Sequence, residues 1–193
     1  MTLCAAGMGA ADLYSLRPSG AMDERPAQGR GFCSEGDALA ALNIALRLDP
    51  ENPNYREDRS RLDYLEAQRS EGARKAELLD DALFQIRKAI RLRPVSPYAW
   101  STLMQVKMGL GEIDQEFLDA LDNALMLGPW EPEIQRAVAD AGLNVWAVLN
   151  DSQKGKILED IKRGMTRQPG EMVRIATQNR AGGGRRSGKY ACN

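Results

Sequence analysis

A chain of 193 residues, 43% of them hydrophobic, is long enough for one domain with a substantial core, or for three or four helical pairs of a repeat protein. Its 26 basic and 27 acidic residues nearly cancel, so no global field draws nucleic acid or a membrane surface as the main partner. Histidine is absent, which removes the commonest general base and metal ligand, and Cys4, Cys33 and Cys192 are too scattered for zinc or dithiol chemistry, so neither cofactor nor metal is expected.

Residues 1–36 read as a flexible N-terminal segment. Met1 to Leu16 is small and mildly apolar but too short to span a bilayer, and Arg17 to Gly36 is a linker rich in Gly, Pro and charge. Helical periodicity starts at Asp37, with Leu39, Leu42, Ile44, Leu46 and Leu48 set among alanines. A polar helix is expected from about Asn54 to Arg69, carrying a thin apolar stripe of Tyr55, Leu62 and Leu65. From Ala73 to Leu92 the positions Ala76, Leu79, Leu83, Ile86 and Ile90 recur at helical steps. Pro97 to Gly109 and Asp114 to Leu127 form the next pair across Gly109-Leu110-Gly111.

Glu133 to Leu149 reads as a helix that Gly142 splits or bends, and Asn150-Asp151-Ser152 offers a cap for an amphipathic helix from Gln153 to Arg167. Pro169 opens a last short helix ending near Gln178. Residues 150–179 therefore make a C-terminal helical cap, and the glycine-rich basic stretch 180–193 is expected to be disordered. A bond between Cys33 and Cys192 is conceivable in an oxidising compartment.

Three turns share one pattern. Ala45-Leu46-Arg47-Leu48-Asp49-Pro50-Glu51-Asn52-Pro53 is followed by Ala89-Ile90-Arg91-Leu92-Arg93-Pro94-Val95-Ser96-Pro97, then by Ala124-Leu125-Met126-Leu127-Gly128-Pro129-Trp130-Glu131-Pro132. In each, the first proline cannot continue a helix and the second suits the first turn of the next. The leading prolines are 44 and 35 residues apart, close to a period of about 34 residues with an insertion in the first interval.

These residues resemble the tetratricopeptide family over Asp37 to Leu149: Ala38 with Ala45 and Ala82 with Ala89 match its spaced small residues, and Trp100 its aromatic after the proline. The resemblance implies an all-α, tetratricopeptide-like helical hairpin solenoid of about seven helices with disordered termini. An irregular helical bundle with coincident prolines is the alternative. Departures from the pattern are Phe117 at a small position, Arg56 at an aromatic one and Met104 in place of glycine.

In that family the first helix of each pair lines a partner-binding groove. The corresponding positions here are Asn54, Glu57, Arg61 and Tyr64, then Tyr98, Ser101, Gln105 and Met108, then Glu133, Arg136 and Asp140. The family's lysine and asparagine clamp for chaperone C-termini is not matched. The order of segments, from ALNIALRLDPENPNYRED through AIRLRPVSPYAW and ALMLGPWEPEIQRAVADAGL to RGMTRQPGEMVRIA, also resembles VpsP-type proteins encoded with bacterial exopolysaccharide systems. That likeness implies an accessory component at the cell envelope, with Met1 to Leu16 the remnant of a membrane anchor.

Three functions remain open at this point. A non-catalytic scaffold would hold a protein or peptide partner in a polysaccharide assembly, or act as a general cytoplasmic repeat adaptor. A glycan-active enzyme would draw a carboxylate pair from Glu57, Asp58, Asp63, Glu66, Asp80 and Asp81, although these are also what a solvated helix face contains. The basic stretches Lys154 to Arg167 and Arg180 to Lys189 would suit an anionic lipid or polymer, but lack interleaved aromatics.

Overall fold

The computed structural model describes the backbone of residues 35–186 and the side chains of 39–179. The described residues form eight α-helices and one short 3₁₀ helix, with no strand among them. We number the helices α1 (Glu35–Leu48), α2 (Pro53–Arg69), α3 (Gly72–Leu92), α4 (Pro97–Leu110), α5 (Gln115–Leu127), α6 (Pro132–Asn144), α7 (Asp151–Arg167) and α8 (Pro169–Arg186). The chain divides into two compact units, Met1–Pro50, of which α1 is described, and Glu51–Asn193, which holds the rest. The N-terminal segment to residue 34, the tail from 187 and the Cys33–Cys192 pairing lie outside the described residues. In the tail, α8 continues to Arg186 rather than ending near Gln178.

Within the second unit, α2 packs on α3, α4 on α5 and α6 on α7, and the hairpins stack in chain order. The proline turns work as their chemistry requires. Pro53, Pro97 and Pro132 each occupy the first turn of a helix, where the missing N–H is no loss. Asn52 Oδ1 accepts from the Asn54 N–H at 3.0 Å, and Ser96 Oγ from that of Ala99 at 3.3 Å. Between α4 and α5 the chain reverses at Gly111, whose φ of 81° is open to glycine and lets Glu112 N–H close on the Lys107 carbonyl at 3.0 Å.

The first hairpin departs from the expected apolar stripe. Leu65 is left exposed, and α2 turns Ser60, Asp63 and Ala67 inward instead. These side chains are short, so the helices can approach closely, and Ser60 Oγ donates to the Ala82 carbonyl of α3 at 2.8 Å. Asp63 is held by Arg59, whose Nε lies 2.9 Å from Asp63 Oδ2. On α3 the buried row runs through Leu78, Leu79, Ala82, Leu83, Ile86 and Ile90, while Phe84 stays outside under the Lys88 ammonium. Phe117, large where the family pattern is small, is fully buried with Leu103, Val106 and Leu121 in the main core.

Gly142 does not split its helix; α6 runs through it and ends at Asn144, followed by the 3₁₀ turn Trp146–Val148. What requires glycine there is packing. A Cβ on Gly142 would stand 2.7 Å from Ile157 Cδ1 and 3.0 Å from its Cγ2, on a side chain that is itself fully buried. Gly142 thus sets how closely α6 and α7 approach. Gly155, in the middle of α7, has open space around it. We expect Gly142→Ala to lower stability by about 1–2 kcal/mol, the overpacking cost less the gain in helix propensity. Ile157→Val should recover part of the loss, and Gly155→Ala should gain about 0.5–1 kcal/mol. Urea denaturation midpoints of the four proteins test this; equal effects of the two alanines would refute the close approach.

Candidate functional site

The first helices of the three hairpins, α2, α4 and α6, are neighbours in that order, and α8 packs beside α6. They bring the residues carried over from the family groove into one neighbourhood, but with different degrees of freedom. Tyr64 is half-buried on the core, and burial, with the charge of Asp140 adding, pushes its phenol up to about 12. That coupling puts Tyr64 of α2 and Asp140 of α6 in electrostatic reach of each other. Asp140 in turn accepts from Asn179 of α8 at 2.9 Å and from Asn144. Met108 of α4 is half-buried against the same core.

Other members of the set are occupied within the chain. Glu57 Oε2 accepts from Arg93 Nη2 and from Ser96 Oγ, each at 3.1 Å, and so ties α2 to the second proline turn. Tyr98 Oη donates to Glu131 at 2.9 Å across to the third turn. Its own pKa is pushed up to about 12, first by burial and then by that bond. Ser101 is buried and accepts from Gln105 Nε2 at 3.2 Å. Arg136 Nη1 donates to Gln168 at 2.9 Å, and its Nη2 lies 3.7 Å from Glu133. Asn54 is exposed at the start of α2, and Arg61, Gln105 and Glu133 are part-exposed.

The carboxylates considered for glycan chemistry lie on α2 and α3, with Asp63 in electrostatic reach of Asp81 and Glu66. Glu57 is bound as above, Asp63 faces Arg59, Glu66 pairs with Arg74 at 2.9 Å, and Asp80 and Asp81 are exposed on α3. Asp58 is pushed up to about 6, by burial first and then by Glu57. Among the described residues no group of three or more acidic or cysteine side chains is arranged to hold a metal ion.

The residues that sequence reasoning missed are those of a buried ion cluster. Lys107 is 1% exposed and meets three carboxylates: Asp114 Oδ2 at 2.6 Å, Glu116 Oε2 at 2.9 Å and Glu112 Oε2 at 3.0 Å. Burial opposes its charge, but the bonds to Asp114, Glu116 and Glu112 outweigh it and hold the ammonium up at about 12. Arg87 of α3 closes on Glu116 from the other side, with Nε at 2.8 Å from Oε1. That bond, with burial opposing and Lys107 adding, holds Glu116 down at about 2. Asp114 also caps α5, its Oδ1 accepting from the Phe117 N–H at 3.1 Å. The signal in the sequence was a lysine in the helical row Leu103, Val106, Lys107, on a face that is otherwise apolar.

A second buried charge lacks such company. Asp160 of α7 is fully buried, neither carboxylate oxygen has a hydrogen-bond partner, and Arg163 Nη2 is 3.7 Å away. Burial pushes its carboxyl up to about 6, against the pull of Arg163. No protein-family model matches the chain, and no curated protein matches it either.

Two outcomes follow for stability. Asp114→Ala removes a helix cap and the shortest bond to a buried ammonium, and should cost about 2 kcal/mol, discounted for the half-exposed carboxylate. Asn150→Ala removes only the capping box of α7 and should cost about 1 kcal/mol. Urea titration at neutral pH separates them, and equal losses would deny the cluster its role. Asp160 ionises near 3.8 when unfolded and near 6 when folded, so the native state loses stability as pH rises through that window and stays penalised above it. Asp160→Asn should therefore stabilise by about 1–2 kcal/mol at pH 7.5 and have little effect at pH 4. A pH-independent effect would contradict the assignment.

Proposed function

We propose that this chain is a non-catalytic scaffold of the tetratricopeptide type that holds a protein or peptide partner on the side formed by α2, α4 and α6. The observation that carries the reading is the alignment of the three first helices. These helices pack side by side, with Tyr64 of α2 in electrostatic reach of Asp140 of α6, and Tyr64 and Met108 both packed against the main core. A face assembled from several hairpins binds an extended segment or a helix through many modest contacts, and needs no reacting group. The interlocked bonds of Glu57, Tyr98 and Arg136 favour a rigid surface, which lowers the ordering cost of capture.

The resemblance to VpsP-type proteins supports placing the partner in a bacterial exopolysaccharide assembly at the cell envelope. No helix among the described residues is long and apolar enough to cross a membrane. The part-exposed Gln105 at the middle of the surface is the position to probe. A photo-crosslinking residue at Gln105 should give an adduct with a protein of the polysaccharide assembly in the native host. The same residue at Phe84, on the exposed side of α3, should not. Arg61→Glu with Glu133→Lys should reduce that adduct about tenfold without moving the melting temperature. Adducts from Phe84 alone would place binding elsewhere.

A further inference from the structure

The third proline turn carries an exposed tryptophan where the other two have Glu51 and Val95. Trp130 is 61% exposed, so burial does not account for it. The turn that presents it is held firmly. Gln135 Nε2 donates to the Pro129 carbonyl at 3.0 Å, Arg167 Nη1 to that of Trp130 at 2.6 Å, and Gln168 Nε2 to that of Pro132 at 2.8 Å. The indole therefore stands on a backbone that has already lost its freedom.

Beside it lies a slot of about 550 Å³, open to solvent and lined by Trp130, Arg163, Thr166 and Arg167. The Arg163 guanidinium carbon is 5.7 Å from the indole ring centroid. Arg163 donates no hydrogen bond to any described residue: its Nε is buried without a partner, and its nearest carboxylate, Asp160, is 3.7 Å from Nη2. Thr166 Oγ1 spends its proton on the Lys162 carbonyl at 3.3 Å, which leaves the oxygen as an acceptor at the slot. The neighbouring acid, Glu131, is engaged by Tyr98.

The combination is a flat apolar face, a guanidinium with unfilled donors and a hydroxyl acceptor, in a slot that is open to solvent rather than enclosed. A peptide side chain of the kind that dominates protein interfaces needs a pocket to bury it. A carboxylated sugar ring needs none: its C–H face lies on the indole, its carboxylate takes the arginine fork, and a ring hydroxyl donates to Thr166. We propose that Trp130, Arg163, Thr166 and Arg167 bind a uronic-acid residue of an acidic polysaccharide. The site is built by the third proline turn and α7, uses none of the residues named for the partner-binding surface, and is tested independently of it.

Calorimetric titration of the full chain with tetragalacturonate tests the assignment, with neutral galactotetraose and tetraglutamate as controls. Tetragalacturonate should bind about tenfold or more tightly than either control. Trp130→Ala should weaken it at least about fivefold and Trp130→Tyr retain most of the binding, both at an unchanged melting temperature, and Arg163→Gln should weaken it at least about fivefold when made beside Asp160→Asn, which leaves no buried carboxylate without its cation. Equal binding of tetraglutamate would mean an acidic peptide site instead. Absent binding, or binding indifferent to Trp130, would overturn the proposal. Crosslinking at Gln105 is unaffected by any of these results, so the two readings fail separately.

Discussion

Lys107 brings a full charge onto the face of α4 that otherwise packs only apolar side chains, and the structure around it is arranged to keep that charge. An ammonium taken out of water without partners costs several kcal/mol, so three carboxylates at its tip are a condition of folding this way. They come from the loop after Gly111 and the first turn of α5, which fixes where that helix begins. Arg87 extends the network to α3 through Glu116. One cluster therefore links the end of α3, the α4–α5 hairpin and the cap of α5, at the centre of the second unit.

Most of the remaining contacts follow a common rule: polar groups enter the interior with a partner, and small residues mark where helices meet. Ser60 on the Ala82 carbonyl and Asp63 on Arg59 let the polar α2 pack against α3 without a leucine seam. Gly142 against Ile157 does for α6 and α7 what Ser60 and Ala67 do for the first hairpin. Asp160 breaks the rule, since its carboxylate is buried beside Arg163 at a distance too long for a hydrogen bond. Asp160 lies three residues before Arg163, which also lines the Trp130 slot, so the same arginine serves both.

These constraints divide the surface into two parts. The side made by α2, α4 and α6 is cross-linked by Glu57, Tyr98 and Arg136 to turns and to neighbouring helices, which makes it rigid and mixed in polarity. The turn edge at Trp130 is smaller, more basic and aromatic. Interfaces favour tryptophan and arginine because both offer large contact at modest entropic cost, and here Trp130 stands on a pinned turn beside Arg163 and Arg167 of α7.

Local chemistry determined the helices. Prolines bar one helix and admit the next whatever surrounds them, and the rows Leu79, Leu83, Ile86, Ile90 and Phe117, Leu121, Ala124, Leu125 have a single buried side at helical spacing. The all-α hairpin array was legible for that reason. Which face of α2 goes inside was not, because Ser60 reads as polar until the Ala82 carbonyl of α3 accepts from it, and the pairing of Asp63 with Arg59 one turn before it does not say that Asp63 turns inward. The groove positions could be numbered from the repeat, but whether each side chain is free or tied depends on Arg93, Glu131 and Gln168, which lie about 30 residues or more away. Likewise Lys107 is one charge among many in the chain, and only tertiary packing decides that three acids and Arg87 gather round it. Burial multiplies electrostatic energies, and burial is set by the whole fold rather than by neighbours in sequence.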